Sequence, residues 1–444
     1  MPSPGSAVSR LARRVRRSLA HVEPYERRAV VLAFVCYFLV YAIYYILRPV
    51  RDTTATVFGV EGLDELFTGT FIGTFIASPI YVWLASRIAL KRFLPGVLWF
   101  WLLNVLIFAA YFELAPQSRT LAAAYYWWFS IANLFMVSIF WSLLVDLFTS
   151  AQAPRLFALI AAGGELGAIA GPVVTRLAVH SVGLGGLLLM CAAGFVGVIA
   201  LVHLLMREKE KLRAAGAEVQ ASTLEDRLGG GAFEGLAQLV KSPYARSQAG
   251  FILLMTWANT VGYFLQTDLI TRTFPAVESR AVALADISLV VNVLTALILF
   301  FGLGRYVQRF GVGAGLLLNP LIMFVAFIAL ALSPTLLMIQ AIQITRQVSQ
   351  FAIARPTREM CFTVVEQSER YKTKNVIDTV VYRFGDLSAA WMLSGLRLAG
   401  FRVVGSSMAG LVVSVIWGAV AVQLGQRYAV LRGRTTTSPA LGYD

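Results

Sequence analysis

Long apolar stretches dominate the pattern of hydrophobic and polar residues along the chain. Each is about 20 residues long, the length that an α-helix needs to cross roughly 30 Å of hydrocarbon. None shows the alternation over about 10 residues that is typical of a barrel strand. The pattern predicts an all-α membrane protein with twelve transmembrane helices, numbered here as spans 1 to 12: residues 29–47, 66–86, 93–113, 122–148, 156–178, 183–206, 248–268, 281–303, 312–332, 335–354, 374–396 and 403–426.

The composition agrees with this pattern. Of 444 residues, 58% are hydrophobic and 14% are charged, whereas water-soluble domains carry roughly 25% charged residues. The three cysteines have no spacing typical of a zinc site or a disulfide framework, and three histidines are too few for a histidine-rich metal site. Gly229-Gly230-Gly231 lacks the Lys and Ser/Thr of a phosphate-binding loop. We therefore expect neither an enzyme nor a cofactor or metal.

The net charge of +14 is unevenly distributed between the predicted loops. Of 38 Lys and Arg residues, 28 fall on the side that holds both termini and 8 on the other. By the positive-inside rule both termini are cytoplasmic. We assign the excess charge to orientation and contact with anionic lipid rather than to nucleic-acid binding. The expectation is a monomeric multi-pass protein of a bacterial inner membrane.

An internal repeat indicates two related halves. Tyr45-Ile46-Leu47 recurs as Tyr263-Phe264-Leu265 at an offset of 218, and Gly164-Glu165-Leu166 recurs as Gly385-Asp386-Leu387 at an offset of 221. Such parallel six-helix bundles resemble the plan of the major facilitator superfamily, with substrate bound between the halves near mid-membrane. The predicted domains are a basic cytoplasmic N-terminal segment (1–28), an N-terminal bundle (29–206), a cytoplasmic linker (207–247), a C-terminal bundle (248–430) and a cytoplasmic tail (431–444).

Four charged residues fall near the middle of predicted spans. Glu165, Arg346, Arg383 and Asp386 lie about 14 to 18 Å from their span ends at 1.5 Å per residue. An unpaired ion there costs several kcal/mol, so such residues are functional candidates. Arg383 and Asp386 are three apart and can pair along one helix face, which leaves a purely structural couple as the alternative.

Span 10 has a polar face around Arg346. Gln340, Gln343, Gln347 and Gln350 follow at intervals of three and four. A helix surrounded by lipid has no use for such a face unless it meets water, a partner or cargo. Gln343, Arg346 and Gln347 are therefore predicted to line a cavity.

Span 1 carries an aromatic and basic stripe. Aromatic faces stack on planar rings, and guanidinium groups bind phosphate or carboxylate through two parallel bonds. Simple packing of the rings is the alternative reading. The stripe consists of Tyr37, Tyr41, Tyr44, Tyr45, Arg48 and Arg51.

Span 5 carries glycines at intervals of four, Gly163, Gly167 and Gly171, before Pro172. Small residues at this spacing favour close packing of helices. The run from Gly167 to Pro172 also resembles the antiporter motif of facilitator helix 5, so a functional role stays open.

Several motifs resemble those of the nucleotide translocase family, the non-mitochondrial ATP/ADP carriers of plastids and intracellular bacteria. Leu47-Arg48-Pro49-Val50-Arg51-Asp52 is similar to that family's Leu-Arg-Asp-Thr-Lys-Asp. Arg358-Glu359-Met360-Cys361-Phe362 resembles Lys-Glu-Met-Ala-Tyr, and the run from Lys372 to Val380 matches Lys-x-Lys-x-x-Ile-Asp-x-Val. Phe140-Trp141 and Arg155-Leu156-Phe157 also fit the family.

The resemblance implies a carrier that exchanges nucleotides by alternating access, with intramembrane charges binding phosphates. The chain departs from it at Asp386, where the family places Lys after Gly, with a cation displaced to Arg383. Gln266 stands where the family has Glu. Reversing a charge at low dielectric changes which ligand charge is tolerated. We therefore expect a divergent member with an anionic small-molecule cargo, a nucleotide being one candidate.

Charged residues at the cytoplasmic ends of the spans are predicted to form gate ion pairs that break when the gate opens. The alternative is that these residues are solvated loop charges that only follow the positive-inside rule. The predicted gate residues are Arg87, Asp146, Arg155, Glu359, Lys374 and Asp378.

Together these features predict a secondary active transporter for a small organic anion. Proton-coupled transport of another solute, through Glu165 or Asp386, and lipid flipping stay open as alternatives. The predicted substrate-binding residues are Tyr41, Tyr45, Arg48, Arg51, Glu165, Gln266, Gln343, Arg346, Gln347, Arg383 and Asp386.

Overall fold

The computed structural model describes residues 22–115, 118–148, 152–214, 239–333, 335–365, 373–374, 376–401 and 403–437. Every regular element among these residues is helical. Most of the predicted N-terminal segment, most of the linker with its triple glycine, and the end of the predicted tail lie outside the described residues.

Twelve α-helices follow one another along the described chain. Short 3-10 turns cover Val60–Gly62 and Phe362–Val364, and π-helical turns cover Gln350–Ala354 and Ile377–Val381. The helices are α1 Arg27–Phe58, α2 Leu63–Arg87, α3 Leu90–Leu114, α4 Arg119–Leu147, α5 Ala153–Ala214, α6 Pro243–Thr273, α7 Val277–Phe301, α8 Leu303–Leu332, α9 Leu336–Ser349, α10 Arg355–Cys361, α11 Tyr382–Leu398 and α12 Val403–Thr437.

Two glycines break long helices where the sequence predicts separate spans. Gly183 adopts φ 66° inside the 62-residue α5, so predicted spans 5 and 6 are its two arms. Gly311 adopts φ 78° inside α8 and separates residues 303–310 from span 9. Positive φ carries little steric cost for glycine because it has no Cβ.

Local chemistry fixes several helix starts. The Ser118, Ser242 and Thr335 hydroxyls each accept a backbone N–H bond at 3.3 Å from the residue three positions later. Such capping satisfies donors that the first helical turn leaves without an intrahelical acceptor. Pro243 then opens α6, where its fixed φ suits the first helical position.

By length and composition, seven stretches of the described residues are able to cross a membrane. They cover predicted spans 1, 3, 4, 5 with 6, 8, 9 and 12. Spans 10 and 11 are interrupted by the π-helical turns, so their α-helical parts, α9 and α11, have only 14 and 17 residues.

The chain forms two compact units. The first comprises Met1–Arg51 and Ile76–Leu228, and the second comprises Asp52–Phe75 and Gly229–Asp444. The end of α1 and the first half of α2 thus belong to the same unit as the C-terminal helices. The predicted domain limits at residues 206 and 248 stay predictions.

Each unit has its own aromatic core. In the first unit, α3 packs against α5, and Tyr125, Phe129 and Phe195 are fully buried. In the second, α12 packs against α8 and α6, and the buried Phe251 and Trp417 rings lie 5.5 Å apart. Burial of such large rings stabilises each unit.

Candidate functional site

Arg346 lies at the centre of a hydrogen-bonded cluster that joins α6 to α9. Its Nε atom donates to Gln343 Oε1 at 2.8 Å, and its Nη1 atom donates to Asn259 Oδ1 at 2.7 Å and Gln350 Oε1 at 3.0 Å. Gln343 is fully buried and donates its Nε2 atom to the Gly262 carbonyl at 2.8 Å. These bonds to neutral amide oxygens orient the guanidinium group.

The polar face of α9 points into the second unit. Gln343 and Gln347 are 0% and 6% exposed, whereas Leu337 of the same helix is 77% exposed. Gln266 on α6 is also buried. The glutamines therefore avoid the surface that a membrane-spanning helix presents to lipid.

Arg383 and Asp386 form the ion pair that their spacing predicts. The Arg383 Nη1 and Asp386 Oδ2 atoms are 3.7 Å apart, and the side chains are 17% and 14% exposed. Thr260 on α6 donates to Asp386 Oδ1 at 3.4 Å. Arg346, Arg383 and Asp386 all lie within electrostatic range of the Tyr382 hydroxyl. These three charged side chains thus lie in the neighbourhood of the Tyr382 hydroxyl.

In the first unit, Glu165 faces the tyrosines of α1. It lies on the first arm of α5, within electrostatic range of Tyr37, Tyr41 and Tyr45. Among the residues that the structure describes, its carboxylate forms no hydrogen bond or ion pair. A half-buried carboxylate in such surroundings is a candidate for binding a proton or a cationic group.

The tyrosine stripe divides into packing and accessible members. Tyr37 is 4% exposed and stacks on Phe140 with ring centroids 4.3 Å apart, so it belongs to the core. Tyr41, Tyr44 and Tyr45 stay partly exposed, and the last two contact each other edge to face at 4.9 Å. These three rings are the ones available to stack on a ligand.

The two arginines at the end of this stripe lie over aromatic faces. The Arg48 Cζ atom is 5.9 Å from the Tyr45 ring centroid. The Arg51 Cζ atom is 5.3 Å from the Tyr126 centroid and 5.9 Å from the Phe129 centroid. Cation–π contact orients both guanidinium groups.

The glycine stripe of α5 packs against α1. A Cβ atom at Gly163, Gly167 or Gly171 would lie within 2.6 Å of a backbone carbonyl oxygen of α1. The two backbones are therefore in direct contact, which is the packing role that the spacing predicts. This contact positions Glu165 against the tyrosines.

The predicted gate residues of the first unit have partners within that unit. Arg155 makes two hydrogen bonds to the buried Glu26, at 2.5 and 2.7 Å. Asp146 pairs with Lys209. Arg87 lies 5.0 Å from the ring centroid of a tryptophan of α2.

The predicted gate residues of the second unit gather around Arg358. Its Nη1 atom donates to Asp378 and its Nη2 atom to Glu359, both at 2.8 Å, and Lys374 approaches Glu359 at 2.5 Å. Burial raises the pKa of Glu359, but hydrogen bonds and positive charge from Lys374 and Arg358 outweigh it and hold the pKa below its ordinary value. That these ion pairs join the two halves stays a prediction.

Sequence reasoning missed four partners of the site. Arg358 stands in the family-like motif directly before Glu359, so the motif itself offered a signal. Glu26 and Lys209 are 129 and 63 residues from their partners, and Asn259 is 87 residues from Arg346. Helical periodicity carries no information about contacts at such separations.

Residues 52–75 are hydrogen-bonded to helices of the C-terminal half. Tyr263 donates a hydrogen bond to Asp52 at 3.2 Å, and Trp391 donates one to Thr68 at 3.0 Å. Arg280 Nη1 donates to both the hydroxyl and the carbonyl oxygen of Thr56, at 3.3 and 3.4 Å. The donors lie on α6, α7 and α11. The connection between α1 and α2 therefore has a polar attachment within the second unit.

Comparison with known proteins agrees with this architecture. The Major Facilitator Superfamily model matches residues 30–352. A bacterial homologue of the iron transporter ferroportin, solved in an inward-facing state, is 10% identical with a TM-score of 0.67, covering 90% of this chain and 99% of that one. The nucleoside transporter NupG is 12% identical with a TM-score of 0.62, covering 91% and 99%. At these identities the likeness shows the fold alone, and it confirms the predicted all-helical architecture.

One curated relative is similar over part of its length. ADP,ATP carrier protein 1 of Chlamydia trachomatis serovar D is 24% identical over 200 residues, which are 40% of this chain and 38% of the relative. The chain thus matches about two fifths of that protein's length.

Proposed function

We propose that this chain, which belongs to the Major Facilitator Superfamily, exchanges a small organic anion across the membrane, with a nucleotide as the candidate cargo. Membership makes it a multi-pass membrane protein and a secondary transporter rather than an enzyme. In this plan the cargo site lies between two helix bundles near mid-membrane, and each side gains access in turn.

The arrangement around Arg346 is the observation that carries the anion proposal. Three neutral amide oxygens hold its guanidinium between α6 and α9. A carboxylate or phosphate accepts two parallel bonds from such a planar group. Charge attraction is much stronger in a membrane interior than in water. A fixed intramembrane guanidinium therefore favours an anionic ligand.

A nucleotide combines a planar base with phosphates, and the first unit offers groups for both. Tyr41, Tyr44 and Tyr45 supply partly exposed rings, and Arg48 follows on the same helix. The similarity to an ADP,ATP carrier and the motif resemblance support this cargo. Asp386, where the resembling family has Lys, indicates that the charge of the preferred cargo differs from that of ATP or ADP.

We further propose that Glu165 of the first unit and Arg346 and Asp386 of the second unit take part in cargo binding. The Arg358 cluster and the Asp146 pair would act as the cytoplasmic gate, because breaking ion pairs gives a two-state element that cargo is able to bias.

Uptake into liposomes tests the proposal. Purified protein is reconstituted with internal ADP, with internal phosphate or with neither, and uptake of labelled ATP, ADP, AMP and succinate is measured. We expect uptake of at least one anion to require an internal anion. Arg346→Gln should abolish it, whereas Arg92→Gln, which removes an exposed charge on α3, should not. Equal uptake with empty liposomes, or normal uptake by Arg346→Gln, would contradict exchange at this site.

Proton-coupled transport is the second candidate. It is favoured by Glu165, whose carboxylate makes no hydrogen bond or ion pair among the described residues. In the same liposomes, uptake driven by a pH gradient alone and lost in Glu165→Gln would support it. Movement of labelled lipid between leaflets without anion uptake would support a flippase instead.

A further inference from the structure

A groove of about 910 Å³ runs between α8 and α12 in the second unit. Its walls are residues 311–317 of α8 and the last turns of α12, and most of the lining is apolar, with Leu317 and Val422 among its residues. The volume falls within the range of about 300 to 1,000 Å³ that is typical of small-molecule sites. None of the proposed cargo-binding or gate residues lines this groove.

Two facing glycines account for the depth of the groove. A Cβ atom on Gly425 would lie 2.9 Å from the Gly313 Cα atom, so the backbones of α8 and α12 meet at this point. Because neither residue has a side chain, the space above the contact stays open. The positive φ of Gly311 ends the preceding helical segment directly beside it.

The polar lining of the groove lies on the final turns of α12. Gln426, Tyr428 and Arg432 belong to the lining. With 35 residues α12 is about 52 Å long, more than the roughly 30 Å of hydrocarbon, so its C-terminal turns reach the headgroup layer. Arg305 and Arg309 are exposed and precede Gly311 on α8 by six and two positions.

We propose that this groove binds one anionic phospholipid from the adjoining leaflet, predicted to be the cytoplasmic one. An acyl chain lies along Leu317 and Val422, and the phosphate pairs with Arg432. The occupant must be apolar over most of its length and negative at one end, which matches a phospholipid and excludes a free nucleotide. Val422 is 44% exposed, so the groove opens on the outer surface of the unit, where a chain enters from the bilayer.

Native mass spectrometry of the purified full chain tests this proposal. The protein is mixed with palmitoyl-oleoyl phosphatidylglycerol, with phosphatidylcholine of the same chains, or with sodium phosphate. We expect one retained phosphatidylglycerol per protein. Arg432→Gln should weaken phosphatidylglycerol binding about fivefold, the effect of one basic residue near an anionic surface. Binding should then equal that of phosphatidylcholine. Arg92→Gln removes an equal charge from the first unit and should change nothing.

A second variant separates the groove from the charge. Gly313→Leu places a side chain in the groove, and its Cβ atom would meet only ordinary contact, 3.7 Å from the Gly425 Cα atom. It should reduce retention of both lipids. Val422→Phe fills the groove from an exposed position, and this variant is used instead if Gly313→Leu does not fold. Equal retention of both lipids by wild type and both filling variants would overturn the proposal. A dimer mass in wild type that the filling variants abolish would show that a second copy of the chain, rather than a lipid, occupies the groove. Displacement of phosphatidylglycerol by sodium phosphate alone would show that the groove is only an anion site.

Discussion

Replacing Arg346 by glutamine gives the sharpest test of the anion site. The change removes the cation and leaves a shorter side chain whose amide has two N–H donors, fewer than the three oxygens of Asn259, Gln343 and Gln350 that Arg346 bonds. Two unit charges 4 Å apart attract by about 4 kcal/mol at an effective dielectric constant of about 20. Since about 1.4 kcal/mol is a factor of ten in affinity, losing this attraction would weaken anion binding by up to about a thousandfold. Residual hydration of the site lowers the expected effect to about a hundredfold or more.

Arg346→Lys separates charge from geometry. The ammonium keeps the charge, but it has no rigid fork to reach three acceptors and a ligand together. We therefore expect about tenfold weaker binding, between wild type and glutamine. Anion binding is measured by calorimetry on detergent-purified protein, and the melting temperature shows that each variant is folded. Folded Arg346→Gln that binds the anion like wild type, or Arg346→Lys that binds no better than Arg346→Gln, would contradict an anion site at Arg346.

Three further predictions follow from the packing and the ion pairs. Gly167→Ala should destabilise the first unit by about 1 to 3 kcal/mol, because its Cβ atom would overlap an α1 carbonyl. Gly96→Ala, whose Cβ atom would have nothing within 4 Å, should not lower the melting temperature. Equal melting temperatures of the two variants would contradict direct backbone contact. The pKa of Glu359 is lowered on folding, so the stability that its carboxylate contributes is full above about pH 4.5 and is lost as the pH falls through the folded pKa. The difference in melting temperature between wild type and Glu359→Gln should therefore shrink below that pH. A difference that grows at low pH would contradict the ion pairs. Arg280→Ala removes two hydrogen bonds to Thr56, so it should speed hydrogen exchange in peptides from the 52–75 segment by at least about fivefold, the effect of about 1 kcal/mol. Arg272→Ala, at an exposed position, should leave the exchange unchanged. Unchanged exchange in both variants would show that other contacts hold the segment.

Much of the architecture follows from periodicity and local chemistry. Apolar length alone predicts the spans, and Gly183 lies where the sequence places the boundary between spans 5 and 6. The pairing of Arg383 with Asp386 follows from helical spacing, since residues three apart share a face. The close approach of α5 to α1 follows from small residues every fourth position.

Other features depend on contacts that no local pattern encodes. The buried Glu26 accepts hydrogen bonds from Arg155, which is 129 residues away in the sequence and comes close only in the folded protein. The π-helical turn at Gln350–Ala354 keeps the apolar pattern of a continuous helix, so the sequence predicts span 10 as uninterrupted. The membership of Asp52–Phe75 in the second unit reflects hydrogen bonds to distant helices and has no sign in composition.

A cryo-electron microscopy map of the protein with its cargo bound, the anion that the liposome assay identifies, tests most directly whether Arg346 holds that anion. We predict density for the anionic group within hydrogen-bonding distance, about 3 Å, of the Arg346 guanidinium. Bound anion away from Arg346, or an Arg346 side chain directed toward the lipid, would contradict the proposed site.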